Sequence, residues 1–171
     1  QENREPLIQI SMNHPRIFIS PIYYLQKIPN SLQSIYLRES AYEHLMQAVS
    51  LLPKDYSFIV YDGFRPLQVQ QFLFNQFSAQ IEKQYPSWTE QQVKQETLKY
   101  VAFPSLNREH PAPHLTGGAI DLTIGDLKGN ALHLGTAFDE MNEKSATRYY
   151  EEHAEEIQLI LDTAKEMRKI L

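Results

Sequence analysis

The sequence predicts one domain in which strands and helices are mixed, and three observations carry that prediction. Ser57-Phe58-Ile59-Val60-Tyr61 is a short apolar run rich in strand formers. Leu45, Ala48, Val49 and Leu52 recur at helical spacing. Thr89 and Gln92 stand three residues apart as a capping box that opens a further helix. With 171 residues, a single domain spanning 1–171 is the expectation. A domain of that size buries about 70% of the surface its unfolded chain exposes.

Residues 1–35 carry Pro6, Pro15, Pro21 and Pro29 with little periodicity, so they read as an extended arm or edge strands wrapping the domain. Ser40 and Glu43 fit a capping box ahead of the first long helix, which Pro53-Lys54-Asp55 ends. The strand at 57–61 runs into Asp62-Gly63-Phe64-Arg65-Pro66, and Pro66 suits the first position of a new helix. That helix is expected to turn Val69, Phe72, Leu73, Phe77 and Ile81 inward and to close at Tyr85-Pro86. The helix opened by Thr89 is expected to reach about Val101. After a Pro-rich loop over 104–113, Gly118 to Ile124 reads as a strand. A turn over 125–130 follows, and Ala131 to Leu134 returns as a second strand. From about Lys144 to Leu171 the pattern is helical, with Tyr150, Ala154, Ile157, Ile160, Leu161, Ala164, Met167 and Leu171 on one face. The stripe is still running at Leu171 without a stop signal, so the expectation is a domain lacking its C-terminal segment.

Composition narrows the functional classes. Hydrophobic residues make up 42% and charged residues 22%, which is globular usage. A net charge of -5 with no Lys/Arg block gives no electrostatic case for nucleic acid or an anionic membrane. There are no cysteines, so thiolate chemistry and disulfides are excluded and any metal site must draw on His, Asp and Glu. No apolar run reaches the length of a membrane span. The chain begins at Gln1 and not at Met, so residues are expected to precede it; a removed signal peptide would account for that, and so would trimming or disorder of the start.

Four residues are candidates for chemistry. His114 and Asp121 lie either side of Gly117-Gly118, which permits a tight backbone path, so an imidazole from a loop and a carboxylate from a strand can converge on one ion. The alternative is a structural His–Asp contact bridging loop to strand. Arg65, at a strand-to-helix junction, can hold an oxyanion or a carboxylate bidentately, or else pair with Asp62. Asp139 can receive a substrate ammonium, or cap a helix. His44 reads as solvated, His133 lies near a strand end and His110 in a Pro-broken loop. His153 among its glutamates reads as the outer face of an amphipathic helix.

Taken in order, these segments resemble a family. Tyr61-Asp62-Gly63-Phe64-Arg65-Pro66 resembles the Asp-Gly-Tyr-Arg-Pro stretch of the zinc-dependent D-alanyl-D-alanine dipeptidases, which include the vancomycin-resistance dipeptidases. His114 through Asp121 resembles their His-x-x-Gly-x-Ala-x-Asp segment, and Phe138-Asp139 with Met141 their Phe-Asp-x-Met stretch. The resemblance implies an α+β fold, a small and mostly antiparallel sheet backed by helices, akin to the D,D-peptidase and hedgehog-like zinc fold. It implies zinc on His114 and Asp121, Arg65 steadying the oxyanion of the tetrahedral intermediate, and Asp139 holding the ammonium of a small D,D-dipeptide. It also leans towards a bacterial, periplasmic location, with the cytoplasm as the alternative.

Two departures from the family pattern stand out. Ala112 takes the place of a serine two residues before the first ligand. No Glu-x-x-His, the family's general base and third ligand, follows Asp121 in these residues. Three readings result: a dipeptidase whose remaining site residues lie outside these 171, a non-catalytic peptide-binding relative, or a D,D-carboxypeptidase acting on peptidoglycan stem peptides.

Overall fold

The computed structural model describes residues 4–11, 13–107, 109–140, 142–145 and 148–153. In chain order the elements are β1 (Leu7–Gln9), β2 (Ile17–Ile19), α1 (Ile22–Leu25), β3 (Tyr36–Arg38), α2 (Glu39–Leu51) and β4 (Tyr56–Asp62). There follow α3 (Leu67–Gln84), α4 (Glu90–Thr97), a 3₁₀ turn at Pro113–Thr116, β5 (Asp121–Asp126) and α5 (Tyr149–Glu152). The fold is the α+β class expected from the sequence. Among the described residues two of the three strand pairings are antiparallel, β1 with β3 and β4 with β5, while β2 joins β4 in parallel.

The N-terminal arm behaves as its prolines suggest. It contributes β1 and β2 as short edge strands, the position in a sheet where missing backbone donors are tolerated. β4 is the central strand of the β2-β4-β5 sheet, which is why its sequence is a nearly continuous apolar run: Phe58, Ile59 and Val60 are all buried. Against it pack Leu45, Val49 and Leu52 of the α2 segment, with Ile17, Leu37 and Ile124 completing the core. A smaller cluster of Tyr23, Ile28 and Val69 joins α1 to the start of α3.

Several boundaries differ from expectation, each for a physical reason. β3 runs directly into α2 at Glu39, so no loop precedes the helix and Ser40 lies inside its first turn instead of capping it. The Glu5 carboxylate of the arm accepts from the Ser40 N–H at 3.1 Å, and so satisfies a first-turn donor from outside the helix. On α3 Val69 and Ile81 are buried as expected and are joined by Gln70 and Phe74, while Leu73 and Phe77 are half-buried and Phe72 is exposed. Gln70 turns in because it bonds Arg65, and Phe74 because it meets Phe103 edge-on. The Thr89–Gln92 capping box forms in full. α4 ends at Thr97, before the expected Val101, where the buried Thr97 hydroxyl donates to the Val93 carbonyl at 2.8 Å. The strand expected from Gly118 begins at Asp121, because pairing with β4 stops at Asp62. Ala131 to Leu134 form no full strand; a bridge from Gly125 to Ala131 and a bond from the Leu132 N–H to the Ile124 carbonyl take their place. Of the long terminal helix, Tyr149–Glu152 is helical and the stripe from Ala154 onward lies outside the described residues, as does Met141.

Candidate metal centre

The site assembles at the C-terminal end of β4, where the ladder is irregular. Val60 faces Leu122 and Asp62 faces Asp121, so Tyr61 is an extra residue in the pairing. Such a bulge re-aims side chains, and here it brings Asp62 into register with Asp121 on the same face of the sheet. The chain then turns at Gly63, where a Cβ would lie 2.4 Å from the Tyr36 carbonyl oxygen, so no other residue fits without displacing β3. This close approach leaves the Gly63 carbonyl 2.8 Å from Nδ1 of His114.

That contact sets the chemistry of His114. With Nδ1–H donated to a backbone carbonyl, the Nε2 lone pair is the free coordinating atom. Nε2 lies 3.4 Å from Oδ1 of Asp121. Ligands at roughly 2.1 Å from one tetrahedral ion stand about 3.4 Å apart, so this pair fits a zinc-sized cation. Asp62 completes a three-residue cluster whose ligand atoms lie within 4.8 Å of one another. Its Oδ2, however, is 3.6 Å from Nδ1, on the other side of the imidazole, and is bonded to Arg65. Asp62 is therefore better suited to orienting His114 and Arg65 than to sharing an ion with Nε2. Gly117, with φ of 70°, closes the 3₁₀ turn that carries His114, and its carbonyl accepts from the Arg38 N–H at 2.8 Å.

Arg65 is buried, 7% exposed, and sits at the hub of the site. Its Nε donates to Asp62 at 2.7 Å, Nη1 to Gln70 at 2.8 Å, and Nη2 to Asp121 at 2.9 Å and to the Tyr23 hydroxyl at 3.3 Å. The guanidinium carbon also stands 4.8 Å from the centre of the Tyr23 ring. Arg65 thus makes the Asp62 pair that was one of its two alternatives, and its guanidinium also lines the cleft. The Tyr23 hydroxyl in turn donates to Oδ2 of Asp139 at 3.3 Å. Asp139 caps no helix; it occupies a turn at φ of 56°, and Phe138 beside it packs on Tyr61.

Burial and charge pull these carboxyls in different directions. Burial raises the pKa of Asp62, and the Arg65 charge only partly offsets it. Burial likewise raises Asp139, reinforced by the nearby Asp121 charge. For Asp121, burial is outweighed by its contacts with His114 and Arg65, and its carboxyl is held below the usual range. Asp121 is therefore held as a carboxylate beside the His114 ring and the Arg65 guanidinium.

All four residues singled out in the sequence, His114, Asp121, Arg65 and Asp139, line one cleft of about 760 Å³. The other histidines lie elsewhere. His44 and His110 are exposed, His133 lines a neighbouring cavity of about 510 Å³, and His153 stacks on Tyr149 with ring centres 4.2 Å apart. Ala112, where the family pattern has serine, is buried and brings no hydroxyl to the site. Tyr23 and Gln70 were not foreseen. Tyr23 belongs to a proline-punctuated arm without a motif, and Gln70 reads as an ordinary polar position on a helix. The only signal was local: Gln70 lies five residues after Arg65, just over one turn into the helix that follows it.

Fold and site together describe an α+β protein that carries a His–Asp pair spaced for a metal ion beside a buried arginine. Residues 25–167 match the profile of the D-ala-D-ala dipeptidase family, and the chain belongs to that family. It is also similar to a D-alanyl-D-alanine dipeptidase of Synechocystis sp. strain PCC 6803, with 30% identity over 125 residues. That similarity covers 67% of this chain and 51% of the cyanobacterial protein, so the chain spans about half the length of the curated relative it matches. No solved structure matches it significantly. Among the described residues no helix is long and apolar enough to cross a membrane.

Proposed function

We propose that the complete protein is a zinc-dependent peptidase that hydrolyses D-Ala-D-Ala. The observation that carries this reading is the 3.4 Å separation of His114 Nε2 from Asp121 Oδ1, with the opposite ring nitrogen committed to Gly63. Family membership supports the hydrolytic class. His114 and Asp121 would hold the ion, which when bound supplies a Lewis acid and a water of lowered pKa. Arg65 keeps Asp121 ionised and oriented. Four of its five N–H groups are engaged by Asp62, Gln70, Tyr23 and Asp121, leaving one donor and a buried positive charge for a developing oxyanion. Asp139, steadied by Tyr23, is the carboxylate that receives the substrate ammonium.

The test is D-alanine release from D-Ala-D-Ala by the complete protein with saturating zinc. Release that is abolished by a chelator, restored by zinc, and reduced at least about a hundredfold in His114→Ala is expected, since loss of a ligand removes the activated water. Absence of release from protein shown to have bound zinc would favour a binding protein without catalysis.

A further inference from the structure

Resting on the peptidase reading above, we infer that Gln70 is a positioning residue: it sets the direction of the one Arg65 N–H group left for a developing oxyanion, and does so without adding charge. The first observation is which nitrogen is left. A guanidinium carries one N–H on Nε and two on each Nη. Nε is taken by Asp62, and Nη2 donates to both Asp121 and the Tyr23 hydroxyl. Nη1 donates to Oε1 of Gln70 at 2.8 Å and, among the described residues, makes no other bond. The remaining donor is therefore the second hydrogen of Nη1. The group is planar, so holding one hydrogen of that nitrogen fixes the direction of the other.

The second observation is burial. Gln70 is 2% exposed, on a helix whose other buried positions are the apolar Val69, Phe74 and Ile81. A buried amide is costly unless both of its ends are bonded, and here both are. Its Nε2 donates to the Ala102 carbonyl at 2.7 Å. The amide has one workable orientation, because a guanidinium only donates and a carbonyl only accepts. Its backbone is equally fixed: the Gln70 N–H donates to the Pro66 carbonyl at 3.1 Å in the first turn of α3. The side chain thus ties Arg65 to the segment after α4, and Arg65, Gln70 and Ala102 line the cleft that contains His114 and Asp121.

The third observation is charge. Two carboxylates already stand on Arg65, Asp62 at 2.7 Å and Asp121 at 2.9 Å. A glutamate in place of Gln70 could also accept from Nη1. It would, however, surround one guanidinium with three carboxylates and set an anion against the Ala102 carbonyl. The positive charge offered to an oxyanion would then be offset by its own supports. An apolar side chain would leave Nη1 unheld. Glutamine accepts from one neighbour, donates to the other and stays neutral.

The experiment uses the complete, zinc-loaded protein and two variants: Gln70→Met, which keeps the side-chain length and makes neither bond, and Gln70→Glu, which keeps the acceptor and adds the charge. On D-Ala-D-Ala, kcat should fall about tenfold in Gln70→Met with KM within about threefold, since the lost contact serves the transition state. Gln70→Glu should fall at least as far. In an Arg65→Lys background, Gln70→Met should lower kcat less than about threefold, because no Nη1 is left to position. Parental kcat in both variants, or an undiminished loss in the Arg65→Lys background, overturns the proposal; the second result would give Gln70 a role in the fold alone. Nuclear magnetic resonance of the Arg65 side chain decides independently of turnover and of whether either variant folds. In the parent, Nη1 and Nη2 should give separate hydrogen signals, with cross-relaxation from an Nη1 hydrogen to the Gln70 amide. One averaged Nη signal, or no contact with Gln70, overturns the proposal. If the parent releases no D-alanine, the peptidase reading fails, and these signals alone decide whether Gln70 holds the guanidinium.

Discussion

Arg65 shows what a single residue does in this site. Its guanidinium is buried against Asp62 and Asp121, so its removal strands two partly buried carboxylates. Arg65→Ala should cost about 3 kcal/mol of stability, read as a shift in denaturant midpoint. It should also lower kcat about a hundredfold or more, the usual penalty for a lost oxyanion contact. Arg65→Lys retains the charge but cannot reach Asp62, Gln70 and Asp121 at once, so it should recover stability better than rate. Tyr23→Phe removes a hydroxyl that accepts from Arg65 and donates to Asp139. A KM increase of roughly fivefold with a smaller change in kcat is expected, the equivalent of about one hydrogen bond. His114, Asp121 and Arg65 were legible in the sequence because each lies in a stretch where the backbone itself is specified by glycine or proline. Tyr23 was not, since its partners Arg65 and Asp139 lie in distant parts of the chain and only the fold brings them together.

Elements were legible where a local interaction defines them. The Thr89–Gln92 box is local in sequence and in space, and it forms as expected. Thr89→Ala should cost about 1 kcal/mol in chemical denaturation and leave catalysis unchanged, because neither Thr89 nor Gln92 lines the cleft. The Ser40–Glu43 box failed for the complementary reason: β3 feeds straight into α2 and the long-range Glu5 took over the donor. The turn after β5 carries a pH signature. Asp126 accepts from the backbone N–H of Lys128 at 2.8 Å and of Asn130 at 2.9 Å, and from the Asn130 side chain, which lowers its pKa below the usual 3.8. A depressed carboxyl stabilises the fold above its unfolded pKa and loses that contribution as pH falls through the folded one. The Tm difference between the parent and Asp126→Ala should therefore be full at neutral pH and shrink below pH 3.8.

At the scale of the whole molecule, the core and the site share one strand. Phe58 and Val60 of β4 are fully buried in the core, and two residues on Asp62 enters the site, with the Tyr61 bulge between them. Phe58→Ala should cost about 4 kcal/mol and loosen the site with the core, since nothing separates them along the strand. The alternation of core and site along β4 was not visible in the sequence, because a bulge has no composition signal and depends on the partner strand. The α+β class was visible, because helical and strand periods are properties of single segments.

Zinc stoichiometry of the complete protein, measured on the parent and on His114→Ala and Asp121→Ala after removal of loose metal, tests the central claim most directly. The account predicts about one zinc per chain for the parent, with affinity lowered at least tenfold in each variant. Retention of zinc at parental affinity by both variants would contradict it.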